Sequence, residues 1–97
     1  MKSISELSKL EGRVYVYLSS PKICKQFFED AEAEGFTFGD GIKPSQKQTA
    51  NIIALNSNGT LNYVGANGRI AYGSGAKKVG EKMIIRIDYE RYVSNNK

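Results

Sequence analysis

Histidine is absent from the 97 residues, which narrows the chemistry before any element is placed. Its absence removes the commonest general base and metal ligand, the Ser-His and Cys-His nucleophile pairs, and zinc patterns built on imidazole. Three groups of reactive types remain. Cys24 falls in the first turns of a helical stretch, where the dipole would lower a thiol pKa. It also stands at helical spacing from Phe28, which reads better as a small buried hydrophobe. Arg86, Asp88 and Glu90 alternate along a strand, a pattern that gives ion pairing across a sheet more often than acid–base work. Gly73-Ser74-Gly75-Ala76-Lys77-Lys78 resembles a phosphate cradle, since glycines let backbone N–H groups approach an anion. It lacks the G-x-x-x-x-G-K-[ST] spacing and no helix is expected after it, so it reads as a long hairpin loop with grasping lysines at its tip. With no nucleophile paired to a base and no ligand cluster, the residues predict no enzyme, no catalytic residue, no metal and no cofactor.

Binding is what the composition leaves. The net charge is +4 with 14 Lys and Arg against 10 Asp and Glu, and it is unevenly placed. Residues 1–50 balance seven against seven, while residues 51–97 hold seven cations against Glu81, Asp88 and Glu90 alone. An excess of this kind suits an anionic partner, nucleic acid or an acidic protein surface, although a small surplus also serves solubility. Six tyrosines and no tryptophan add rings that bury area at low entropy cost while keeping a polar tip. The candidate binding residues are therefore Arg69, Tyr72, Lys77, Lys78, Lys82, Arg86 and Arg91 with Tyr15 and Tyr17, Arg86 and Arg69 foremost. Interleaved in this way, tyrosine and arginine could stack bases or anchor a protein interface.

The elements that must position these residues are readable in outline. Ser3-Ile4-Ser5-Glu6 fits a capping box, followed by an apolar stripe of Ile4, Leu7 and Leu10 that Gly12 stops. Arg13-Val14-Tyr15-Val16-Tyr17-Leu18 is a strand with Val14, Val16 and Leu18 on one face and Tyr15 and Tyr17 on the other. Ser20-Pro21 opens the main helix and Gly35 closes it, with Ile23, Phe27 and Ala31 buried. Its acidic last turns oppose the dipole and read as a solvated face or, at most, an interface rim. Phe36, Phe38 and Ile42 are expected to tie the next connection to the core, ahead of a polar, mobile 45–49. Asn58-Gly59 between two apolar runs is the strongest short-range hairpin signal, here a type I′ turn joining strands at 51–55 and 60–65. A turn at Ala66-Asn67-Gly68 then leads to a strand at 69–72, a flexible loop at 73–80, and a long strand over 82–93 with Met83, Ile85, Ile87 and Tyr89 on one face. Ser94 to Lys97 reads as a frayed tail.

The expected fold is α+β, a single small domain over 1–97: a mostly antiparallel sheet of four to five strands, one main helix packed on one face, and a short N-terminal helix. The Tyr15, Tyr17, Arg86 and Asp88 face is expected to be open to solvent or a partner. No apolar run is long enough to span a bilayer, the first residues lack the apolar region of a secretory signal, and one cysteine forms no internal disulfide. A cytoplasmic protein is expected, with no membrane partner and its oligomeric state open, a homodimer included.

Val14-Tyr15-Val16-Tyr17, Glu32 to Gly41 with Lys43-Pro44, Asn62-Tyr63-Val64-Gly65 and Ile87-Asp88-Tyr89 together resemble a set of small proteins of phages, plasmids and other mobile elements of Gram-positive bacteria. The resemblance runs from residue 13 to about 93, and its motifs look structural. Because small single-domain proteins in such neighbourhoods are often anti-defence factors, anti-CRISPR proteins among them, it implies an inhibitor that binds a bacterial immune effector in the host cell. Many such inhibitors are acidic mimics of DNA, and a basic chain departs from that pattern. A nucleic-acid-binding module and a small-nucleotide sponge are the alternatives.

Overall fold

Alternation along Arg13-Val14-Tyr15-Val16-Tyr17 builds the strand at the centre of the sheet, where both neighbours are long partners. The computed structural model describes residues 3–94. Its elements run α1 (Ile4–Ser8), β1 (Arg13–Tyr17), α2 (Pro21–Ala33), β2 (Thr37–Phe38), a 3₁₀ turn (Pro44–Gln46), β3 (Ile52–Leu55), β4 (Thr60–Tyr63), α3 (Ala66–Gly73), β5 (Lys78–Val79), β6 (Lys82–Asp88) and α4 (Tyr89–Ser94). The strands lie in the order β2-β4-β3-β1-β6-β5. The ladders β1–β3, β3–β4 and β5–β6 are antiparallel, while β1–β6 and β2–β4 are parallel. The class is α+β, as the pattern predicts. Among the described residues, no helix is long and apolar enough to cross a membrane.

Register decides which side chains meet. Val14 lies opposite Leu55 on one side and Ile85 on the other, and Val16 lies between Ile53 and Ile87. With Leu18 and Leu61 they form the apolar floor onto which α2 packs Cys24, Phe27, Phe28 and Ala31. Burying such side chains contributes roughly 1.5–3 kcal/mol each for the large ones, so this layer dominates stability. Phe27, fully buried, meets the edge of Tyr89 with ring centroids 5.0 Å apart. The helix starts where its caps say it should: the Ser20 hydroxyl accepts the Ile23 N–H at 3.2 Å, Pro21 takes the first position, and the chain leaves through Glu34 and Gly35.

The acidic end of α2 is where the structure adds most to the expected solvated face. Glu34 accepts the Ile4 and Ser5 N–H groups, both at 2.9 Å, together with the Ser5 hydroxyl. Its carboxylate thus satisfies the orphan donors at the start of α1, beside the Ser3 hydroxyl that accepts from the Glu6 N–H. Glu32 accepts the N–H and hydroxyl of Ser45, fixing the 3₁₀ turn. Asp30 accepts the Tyr89 hydroxyl, tying α4 to α2. Three carboxylates that disfavour their own helix end each fasten a different neighbour.

Several expectations are corrected. Residues 66–73 form a helix rather than a turn and a strand, and β6 returns parallel to β1 within the mostly antiparallel sheet. The final strand stops at Asp88 and continues as α4, in which Tyr89 and Tyr92 pack on the same core as Ile85 and Ile87. The 73–80 loop contains β5, and 45–49 is fixed at its start by Glu32 rather than loose. Leu10 and Ile42 are exposed, since α1 ends at Ser8 and the 38–42 turn carries Ile42 outward. The Asn58-Gly59 hairpin forms, but only Gly59 has positive φ. Its N–H reaches the Asn56 carbonyl and the Asn56 N–H reaches Thr60, the pattern of a type I turn closed by a left-handed glycine rather than type I′. Except for Ser94, which ends α4, the expected frayed tail lies outside the described residues.

These contacts make stability fall at both ends of the pH scale. The Ser45 hydroxyl and N–H hold the Glu32 carboxyl below the ordinary carboxylate value, and Lys47 with the Ile42 N–H does the same for Asp40. A lowered folded value gives stability that is present above the unfolded value and lost as pH falls through the folded one. Burial and the hydrogen bond to Asp30 push the Tyr89 phenol far upward, so its contribution is present below about pH 10 and lost above it. Denaturant midpoints are expected to fall below about pH 4 and above about pH 10. Glu32→Gln should flatten the acid limb and Tyr89→Phe the alkaline one.

Candidate binding surface

The candidate residues converge in part, and their geometry follows from α3. Glycine replaces any side chain at position 68, so the helix lies almost on the ring of Tyr15: a Cβ there would stand 2.7 Å from Val64 Cγ1 and 2.9 Å from the Tyr15 hydroxyl oxygen. Tyr15, only 4% exposed, packs with Ile52, Ala54, Val64 and Ile84 in a second apolar cluster, against which Tyr17, Ala71 and Tyr72 lie half-buried. The face expected to be open is therefore roofed by a helix, because the 66–73 segment needs an apolar surface and the sheet's second face supplies one.

Arg86 holds that roof. From β6, its Nη2 donates to the carbonyls of Ala71, Tyr72 and Ala76 at 3.2, 3.0 and 2.8 Å. Ala71 and Tyr72 lie in the last turn of α3, where a cation is favoured, and their carbonyls also accept the Ala76 and Gly75 N–H groups of the turn that follows. The guanidinium also stands 5.1 Å from the centroid of the Tyr72 ring. Burial raises the Tyr72 phenol pKa, with Arg86 opposing it. Arg69 acts at the other end of the roof, with Nη1 donating to Asn51 Oδ1 at 2.8 Å and Nε to the Val64 carbonyl at 3.3 Å. The two arginines ranked first for binding thus both make intramolecular bonds that fix α3.

Lys77, Lys78 and Lys82 are exposed along the α3–β5 connection and the β5–β6 hairpin, where Val79 pairs with Lys82. Whereas Tyr17 lies opposite Asp88 at the far end of β6, they share a region with Arg86, Tyr72 and Tyr15. Arg91 does not: it lies beyond the far end of β6, roughly 20 Å from Lys82 at about 3.3 Å per strand residue, 3.9 Å from Asp88 Oδ2 and with its side chain 85% exposed. What sequence reasoning missed is the outer face of α3. Ala66, Arg69, Ile70 and Gly73 recur at helical spacing and are all exposed, Ile70 by 68%. The spacing was present to be read, but two glycines and no capping side chain masked it.

Cys24 is fully buried, its sulfur accepts the Ala50 N–H at 3.4 Å, and burial raises its thiol pKa. Such a group is a packing residue rather than a nucleophile. Among the described residues, no group of three His, Cys, Asp or Glu side chains could hold a metal ion.

No family model, curated protein or solved structure matches the chain.

Because Arg86 fixes the end of α3 from another strand, Arg86→Met should cost about 1–2 kcal/mol and act locally. Amide exchange at Ser74 and Ala76, whose N–H groups bond Ile70 and Ala71, should speed up far more than exchange in β1 and β3. Uniform acceleration would show that the contact serves global stability instead.

Proposed function

We propose that the chain is a non-catalytic binding protein that occludes a site on a partner protein, in the manner of an anti-defence inhibitor of a bacterial immune effector. The observation that carries a protein partner is Ile70, a large aliphatic side chain 68% exposed on the outer face of α3. An apolar anchor flanked by Ala66 and Gly73 suits the centre of an interface, where flat packing excludes water. Lys77 and Lys78 follow on the same connection and suit an acidic rim. A specific interface takes about 800 Å² from each side, more than the outer face of one eight-residue helix, so the footprint extends onto the β5–β6 hairpin. The anti-defence role rests on the resemblance of 13–93 to proteins of mobile elements.

The base-stacking alternative is less favoured, because stacking needs exposed rings and Tyr15 is roofed while Tyr72 is half-buried beside Arg86. Its distinguishing mark would be a steep fall of log K with log[salt].

The test is co-expression with defined immune systems under phage or plasmid challenge, followed by affinity measurement with the effector that loses function. Ile70→Asp is expected to weaken that complex by about 2 kcal/mol or more while leaving the fold intact, since the side chain is 68% exposed and belongs to neither core cluster. Lys77→Glu with Lys78→Glu should lower the association rate and its salt dependence. Full immunity in every system, with no effector bound, contradicts the proposal.

A further inference from the structure

At the end of the sheet where β1 and β6 begin, a groove of about 560 Å³ opens between the chain leaving α1 and the β3–β4 turn. That volume is in the range of small-molecule sites. Three cations from two segments line it: Lys9 and Arg13 on the chain between α1 and β1, and Lys82 at the start of β6, against the single carboxylate of Glu11. The ion pairs among the described residues are Lys47–Asp40 and Arg91–Asp88, so none of the three cations is neutralised by a carboxylate. Their approach is built in. Gly12 has φ +136°, and a Cβ there would stand 2.6 Å from the Met83 carbonyl oxygen, so only glycine lets this segment lie against the start of β6. Arg13 is held in place by its 3.0 Å bond from Nη1 to Asn56 Oδ1 and by the Tyr15 ring, 5.9 Å from the guanidinium, which leaves its remaining N–H donors. Leu10, 43% exposed, supplies an apolar wall.

We propose that this groove binds the phosphate monoester of a nucleoside-sized molecule. A dianion would relieve the repulsion of three gathered cations. The planar guanidinium of Arg13 would take two phosphate oxygens, with Lys9 and Lys82 as flanking point charges. The volume exceeds what phosphate alone fills, and Leu10 offers a surface for a sugar or base. The site uses none of Ile70, Lys77 or Lys78 and shares only Lys82 of the β5–β6 hairpin with the partner footprint, so nucleotide binding to the chain alone tests it apart from that surface.

The experiment titrates the full chain, followed by backbone amide NMR, with inorganic phosphate, adenosine 5′-monophosphate and thymidine 5′-monophosphate in turn. Saturable shifts are expected at residues 9–13, 56–58 and 82, with dissociation constants of about 1 mM or tighter for the nucleotides and weaker binding of inorganic phosphate. Lys9→Gln with Lys82→Gln, both exposed side chains, should weaken nucleotide binding about tenfold or more. The charge-matched pair Lys22→Gln with Lys25→Gln, on α2, should leave it unchanged. No saturable shift with either nucleotide at about 10 mM, or an equal loss in the α2 pair, overturns the site. Inorganic phosphate binding as tightly as the nucleotides overturns the nucleoside-sized ligand.

Discussion

Gly68 of α3 lies directly against Tyr15 of β1, and the basic half of the molecule is arranged around that contact. The Tyr15 hydroxyl and a Val64 methyl fill the space a Cβ would need, so α3 settles on the second face of the sheet instead of standing off it. Once it does, its terminal carbonyls fall beside Arg86 and its first turn beside Asn51, and the two arginines complete the attachment. A side chain at position 68 would have to displace Val64, Tyr15 or the helix itself. The contact also decides what the surface offers. With Tyr15 beneath a helix and Arg69 and Arg86 bonded inward, Ile70, Lys77 and Lys78 are left exposed along α3 and the connection after it.

The opposite layer follows a different logic. Its apolar interlock of Phe27, Phe28 and Leu61 is ordinary core packing, but the short elements around it are fastened by charge. An α1 of five residues is too short to persist alone. The Glu34 carboxylate makes it part of α2 by taking two of its free N–H groups. The same holds for the 3₁₀ turn through Glu32 and for α4 through Asp30. Charges that weaken the helix bearing them thus organise three elements that lack cooperativity of their own.

Much of this was legible in the residues. The alternation of Val14, Val16 and Leu18 against Tyr15 and Tyr17 named both faces of β1, since a period of two leaves no other choice. Ser20, Pro21 and Gly35 bounded α2 because caps are local chemistry. The helix at 66–73 was not legible for the converse reason. Arg69-Ile70-Ala71-Tyr72 has the look of a strand, Gly68 argues against a helix interior, and what completes the helix is an arginine on β6. Tertiary contacts overrode local preference there. The parallel return of β6 is equally non-local, as no short stretch encodes which edge of β1 is free. The candidate site was legible in composition alone: lysine exposure was foreseen, while the inward roles of Arg69 and Arg86 depend on a helix that the local pattern hid.

The most direct measurement of this account is the set of proton–proton distances around Tyr15 in solution. Nuclear Overhauser contacts from the Tyr15 ring to the Gly68 α-protons and the Tyr72 ring, with helical couplings across 66–73, are what a roofed tyrosine face predicts. A Tyr15 ring free of these contacts, with 69–72 extended, would restore the open tyrosine–arginine face and contradict it.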